Sequence, residues 1–126
     1  MKAVIPCAKK KESLFPFSES KPTALMPVMG KALVKHNIEA LRDNGVDEIY
    51  LVTNYLEEKF EQEFGERTDI NIVHQEEVSG TASAIEEVDF LEDDFMVVNG
   101  DVIISEVDLN SLIDKHEREE TAVTLM

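Results

Sequence analysis

Residues 31–53 read KALVKHNIEALRDNGVDEIYLVT. Val34, Ile38 and Leu41 recur at i, i+4 and i+7, which puts them on one stripe of a helix over 31–44. Gly45 supplies the stop. Glu48 to Thr53, EIYLVT, is almost continuously apolar and reads as a strand buried on both faces. A helix running through a glycine into such a strand is the repeating unit of an α/β sheet.

Working outward, the same alternation continues. Ala3-Val4-Ile5 opens a short buried strand. Residues 8–30, with Pro16, Pro22, Pro27 and Gly30, form a long loop, and a loop of that length inside a domain is usually functional or mobile. Downstream come a helix over 55–64 closed by Gly65, a strand over 70–73 and a short helix over 80–88. An apolar strand over 95–98 then runs straight into Asn99-Gly100-Asp101. A helix over 109–118 follows, capped by Asp108, and Thr121 to Met126 (TAVTLM) reads as one more strand. The pattern predicts a single α/β domain over residues 1–126. Its architecture is a Rossmann-like, mostly parallel sheet with right-handed crossovers and helices on both faces.

Ligands of such sheets bind outside the carboxyl ends of the strands. Three segments leave strands there: the loop after Ile5, His74 to Thr81, and Asn99-Gly100-Asp101. Asp101 directly follows a buried strand, where a carboxylate can hold Mg²⁺ and, through it, a triphosphate. Gly100 beside it permits close approach of backbone or ligand. Asn-Gly-Asp is equally good turn chemistry. In the second segment the Gln75 amide can donate and accept, as base-edge recognition demands. Gly80 and Thr81 place free N–H groups at a helix start, either for a ligand or as a simple N-cap. In the first segment, Ala8-Lys9-Lys10-Lys11-Glu12 puts three lysines together, either as counter-charge for phosphate or as a solvated patch.

Other polar and sulfur-bearing side chains have ordinary readings. His36 and His116 lie in helices without metal-ligand spacing, and His74 ends a strand at the crevice. Met26 and Met29 read as packing, and Glu57, Glu58 and Glu61 as a solvated helix face.

Bulk composition narrows the partners. The 126 residues are 43% hydrophobic, enough for one core, and carry 27 Asp and Glu against 12 Lys and Arg. A net charge of −15 argues against nucleic acid or an anionic membrane as the partner. It also means that any phosphate ligand needs a local positive site. Cys7 is the sole cysteine, which removes an intramolecular disulfide and a zinc cluster. The start of the chain lacks the pattern of a signal peptide and no run reaches membrane-spanning length, so the expected compartment is the cytoplasm. No G-x-G-x-x-G follows the first strand, and no G-x-x-x-x-G-K-[ST] occurs, which disfavours a dinucleotide-binding oxidoreductase and a P-loop kinase.

Taken in order, the pieces resemble the sugar-nucleotide pyrophosphorylases, of which glucose-1-phosphate thymidylyltransferases are one branch. Met1 to Ile5 matches the family's first strand. Pro16, Pro22, Pro27-Val28 and Gly30-Lys31 fit its signature loop, with Ser18 where a threonine is usual. Ile38-Glu39-Ala40-Leu41 continues its first helix. Gln75-Glu76 with Gly80-Thr81-Ala82 fits its base-reading segment, and Asn99-Gly100-Asp101 its metal-binding strand end. The resemblance implies condensation of a nucleoside triphosphate with a sugar-1-phosphate, releasing pyrophosphate. Gln75 and Gly80 would then read the base, Thr81 would bind the nucleotide beside them, Ala8 to Lys11 would cradle the phosphates, and Asp101 would hold Mg²⁺.

The signature loop departs from the family pattern Leu-Ala-Ala-Gly-x-Gly-x-Arg. Lys9 and Lys11 stand at its two glycine positions, Ser13 at its arginine and Thr23 at a later lysine. If the glycine positions require φ > 0, each lysine costs about 1–2 kcal/mol or the loop takes another shape. A lysine cannot reproduce the bidentate fork of an arginine. These departures lead us to expect impaired or absent turnover. A catalytically inactive nucleotide-binding or regulatory relative, and a structural subunit, are the alternatives. The chain corresponds to the N-terminal half of the family's domain, so the sheet is expected to be truncated. Its last strand would leave an edge for a second copy or a partner chain.

Overall fold

Strand β1 (Lys2–Pro6) lies inside the sheet, with Ala3, Val4 and Ile5 fully buried. The computed structural model describes residues 1–89, 93–104 and 107–126. β1 pairs in parallel with β4 (Glu48–Thr53) on one side and β6 (Phe95–Val97) on the other. β5 (Ile70–His74) adds to the far side of β4, giving the order β5-β4-β1-β6, parallel throughout. Residues 49–53 of β4 are all buried, as expected of a strand covered on both faces.

Side chains alternate across the sheet. Ala3, Ile5, Ile49 and Leu51 face a core filled by Val34, Ile38 and Leu41 of α1 (Leu33–Asp43) and by Phe60 and Phe64 of α2 (Glu57–Phe64). Val4, Tyr50 and Val52 face the other way, against Ala84 of α3 (Thr81–Glu86) and Val88. Helix α4 (Leu109–Glu119) adds Leu109 and Ile113 to the first core. Helices therefore cover both faces.

Gly45 (φ +85°) ends α1 with paired bonds. Its N–H donates to Arg42 O (3.0 Å), and Val46 N–H donates to Leu41 O (3.0 Å). This is the Schellman arrangement, which satisfies the last carbonyls and buries Val46 beside Leu41. Asp108 caps α4, accepting from Ser111 N–H at 3.0 Å.

Two expectations need correction. The segment 8–30 is not one irregular loop. It contains three 3₁₀ turns (Glu12–Leu14, Phe17–Glu19, Thr23–Leu25) and a hairpin of β2 (Pro27–Val28) with β3 (Lys31–Ala32). Met29 (φ +48°) and Gly30 (φ +83°) make the tip, the double positive φ of a type I′ turn. Met29 is 80% exposed there, so it is not a packing residue. Residues 121–126 form no strand; Val123, Leu125 and Met126 are exposed. Their apolar side chains gain nothing from strand geometry without a surface to pack on. The sheet edge is β6 itself.

Candidate functional site

The carboxyl ends of β1, β5 and β6 open on one cleft of about 440 Å³. The ladders run on beyond the strands and fix its walls. Cys7 N–H donates to Val52 O (2.7 Å), Gln75 N–H to Thr53 O (2.8 Å), Val98 N–H to Val4 O (3.0 Å) and Gly100 N–H to Pro6 O (3.2 Å). Of the residues expected from sequence, Ala8, Lys9, Gln75, Gly80, Thr81 and Asp101 line this cleft, as does Thr23.

Gln75 is fully buried in the wall. Its Nε2 donates to Ser83 Oγ (2.7 Å), and Ser83 donates on to Gly80 O (2.8 Å). Asn54 Nδ2 donates to Gln75 O (2.7 Å) and Glu76 O (3.3 Å). The segment after β5 is therefore tied from both sides. Gly80 (φ +141°) is the N-cap of α3, a backbone conformation that side chains rarely adopt.

The three lysines separate. Lys9 lines the cleft with no ion pair among the described residues. Lys10 turns away: it pairs with Glu19 and lies 5.9 Å over the Tyr55 ring, and the hydrogen bond to Glu19 raises its pKa. Lys11 crosses to the β6 loop, where its Nζ is 2.9 Å from Asp101 Oδ2. Neither Lys9 nor Lys11 has a positive φ, and Lys11 is extended at φ −88°, ψ 104°. The loop has taken another shape rather than bearing the strain. Ser13 lies exposed in the first 3₁₀ turn, outside the cleft lining. Thr23 is buried, with its hydroxyl unpartnered.

Gly100 allows a close approach, but of backbone rather than ligand. A Cβ there would sit 2.7 Å from Pro6 O and 2.9 Å from Cys7 Sγ. Burial, with the nearby Asp101 charge, pushes the Cys7 thiol up. That disfavours the thiolate, the reactive form of the side chain.

Asn37 was not expected from sequence. Fully buried on α1, it donates from Nδ2 to Val102 O (2.7 Å) and Asn99 O (3.4 Å), and its Oδ1 accepts from Ile104 N–H (3.1 Å). It thereby clamps the loop carrying Asp101. No periodicity reveals this, because the partners lie 62 to 67 residues away. His74 does not line the cleft; its Nδ1 is 2.9 Å from Glu57 Oε2. Glu57 also accepts from Thr53 Oγ1 (2.7 Å), so it is not simply a solvated face residue. Those two bonds, Thr53 first, lower its pKa.

Among the described residues no group of three or more His, Cys, Asp and Glu is arranged for a metal. Asp101 is the one carboxylate in the cleft lining among the described residues. That donor set suits Mg²⁺, which commonly takes one or two carboxylates and completes its shell with water and substrate phosphates. It does not make a closed protein cage.

Comparisons with known proteins show the family and the fold. A family model described as nucleotidyl transferase matches residues 9–126. The bifunctional protein GlmU of Methanocaldococcus jannaschii is 38% identical over 107 residues, covering 84% of this chain and 26% of that protein. The UTP–glucose-1-phosphate uridylyltransferase AglF of Haloferax volcanii is 32% identical over 126 residues, covering 97% of this chain and 51% of that one. Among solved structures, HddC from Yersinia pseudotuberculosis superposes with a TM-score of 0.78 at 23% identity, covering 91% of this chain and 53% of its own. The UDP-glucose pyrophosphorylase from Acinetobacter baumanii gives 0.77 at 22% identity, covering 95% and 53%. The chain spans about a quarter to a half of the length of these relatives.

Proposed function

The chain belongs to the nucleotidyl transferase family, and from that premise we propose that it carries the nucleotide-binding half of a sugar-1-phosphate nucleotidyltransferase site. The observation behind this reading is the cleft: it joins a buried amide after β5, a lysine after β1 and a carboxylate after β6.

In the proposed reaction, a phosphate oxygen of the sugar-1-phosphate attacks the α-phosphorus of a nucleoside triphosphate. The new phosphorus–oxygen bond forms, the bond from the α-phosphorus to the bridging oxygen breaks, and pyrophosphate leaves with that oxygen. Gln75, held by Ser83, and the α3 start at Gly80-Thr81 bind the base. Ala8 and Lys9 hold the phosphates, Lys9 supplying the charge that the −15 chain otherwise lacks. Asp101 would hold Mg²⁺, which neutralises phosphate charge when bound. Catalysis is slow in this reading. Ser13 lies outside the cleft, and neither it nor Thr23 supplies the cation found at those positions in the family. The cytoplasm suits these substrates, and among the described residues no helix is long and apolar enough to cross a membrane.

The test is pyrophosphorolysis, in which an NDP-sugar and labelled pyrophosphate give labelled triphosphate. Slow, magnesium-dependent exchange is expected. Triphosphate binding without any exchange would favour the alternative, an inactive nucleotide-binding relative. That alternative rests on the same altered loop, and in it Lys9→Gly with Lys11→Gly changes affinity without creating turnover.

The β6 edge supports a second proposal, that another polypeptide pairs there, as a second copy or a partner chain. β6 ends the sheet, and Val97, Val123 and Leu125 are exposed around an apolar groove beside it.

A further inference from the structure

We propose that Lys11 is a built-in competitor for the metal position: its ammonium holds Asp101 and lowers the affinity of the empty chain for divalent cations. The inference rests on the reading of Asp101 as the metal-holding carboxylate. Lys11 Nζ lies 2.9 Å from Asp101 Oδ2, so the pair bridges the loop after β1 and the loop after β6. Among the described residues Asp101 is the one carboxylate lining the cleft, so it is the carboxylate that an arriving cation would use. A divalent ion on Asp101 would meet the lysine charge at close range, and that repulsion persists even in water. The lysine must therefore move.

It can do so. Lys11 and Asp101 side chains are 37% and 31% exposed, and ion pairs of this exposure are individually weak. A triphosphate carries more negative charge than one carboxylate and would draw the ammonium to itself. Asp101 is then released as the nucleotide arrives, and nucleotide and cation binding become positively linked. The family pattern has a glycine at the Lys11 position, so this competition comes from the substitution itself.

The test uses Mn²⁺ alone, titrated into the chain with free Mn²⁺ followed by electron paramagnetic resonance. Lys11→Met should bind Mn²⁺ about three-fold more tightly than the parent. Lys11→Arg, which keeps the charge, should match the parent, and Lys11→Met with Asp101→Asn should lose the gain. Equal affinity in the parent and Lys11→Met overturns the proposal, and so does a gain that survives Asp101→Asn. No nucleotide enters this assay, so a failure here is distinct from a failure to bind triphosphates.

Discussion

Gly100 and Asn37 fix the Asp101 loop by opposite means, one by lacking a side chain and the other by burying one. Gly100→Ala would drive a Cβ to 2.7 Å from Pro6 O. We expect a loss of about 1–3 kcal/mol in urea unfolding, with the β1 and β6 loops pushed apart. Asn37→Ala would strand the N–H of Ile104 and the Val102 carbonyl, costing roughly 2–3 kcal/mol. Nucleotide affinity should fall with it, and Asn37→Asp should not restore the bond to Val102 O, since a carboxylate cannot donate. Glu57 makes a pH prediction. Its folded pKa lies below the ordinary value of 4.5, through Thr53 and then His74. Its contribution to stability is therefore complete above that value and is lost as pH falls through the lower, folded one. Glu57→Gln should flatten the acid limb of the stability–pH curve, and an unchanged limb would contradict this. At this scale the sequence was only partly legible. Asp101, Gln75 and Lys9 were readable because strand ends locate ligands. Asn37, Asn54 and the divergence of Lys10 and Lys11 depend on contacts far apart in sequence.

Element boundaries were legible wherever local chemistry settles them. The apolar stripe of α1 and the glycine after it predict both the helix and its stop, and Gly45 takes the positive φ expected there. Asp108 is the clearest case, since both its oxygens accept from Ser111, lowering its pKa. Asp108→Ala should speed amide exchange in the first turn of α4 and leave β1 unchanged; equal protection in both proteins would contradict the cap. The predictions failed where tertiary surroundings decide. Residues 121–126 have strand-like composition, yet His116 Nδ1 meets Thr124 Oγ1 at 2.9 Å and no ladder forms. The β2–β3 hairpin was missed because its tip is Met29-Gly30, whereas Asn-Gly or Asp-Gly is the usual signal.

For the whole molecule, alternation of buried strands and amphipathic helices was enough to predict a parallel sheet covered on both faces, and with it the side on which the cleft opens. Strand order cannot be read from the pattern alone. β1 came to lie between β4 and β6 because its two faces and both ladders are all satisfied there. The proposed pairing at the β6 edge can be checked in solution. Sedimentation should show association that rises with concentration and weakens in Val97→Lys, which puts a charge on the edge strand; a parent that stays monomeric throughout would count against pairing between copies. In the proposed function the cleft at the strand ends holds a nucleotide. Calorimetric titration of the chain with each nucleoside triphosphate in Mg²⁺ tests it most directly. One base should be preferred, Gln75→Ala should erase the preference, and Lys9→Ala should weaken every triphosphate alike. Heat of binding from none of them would contradict it.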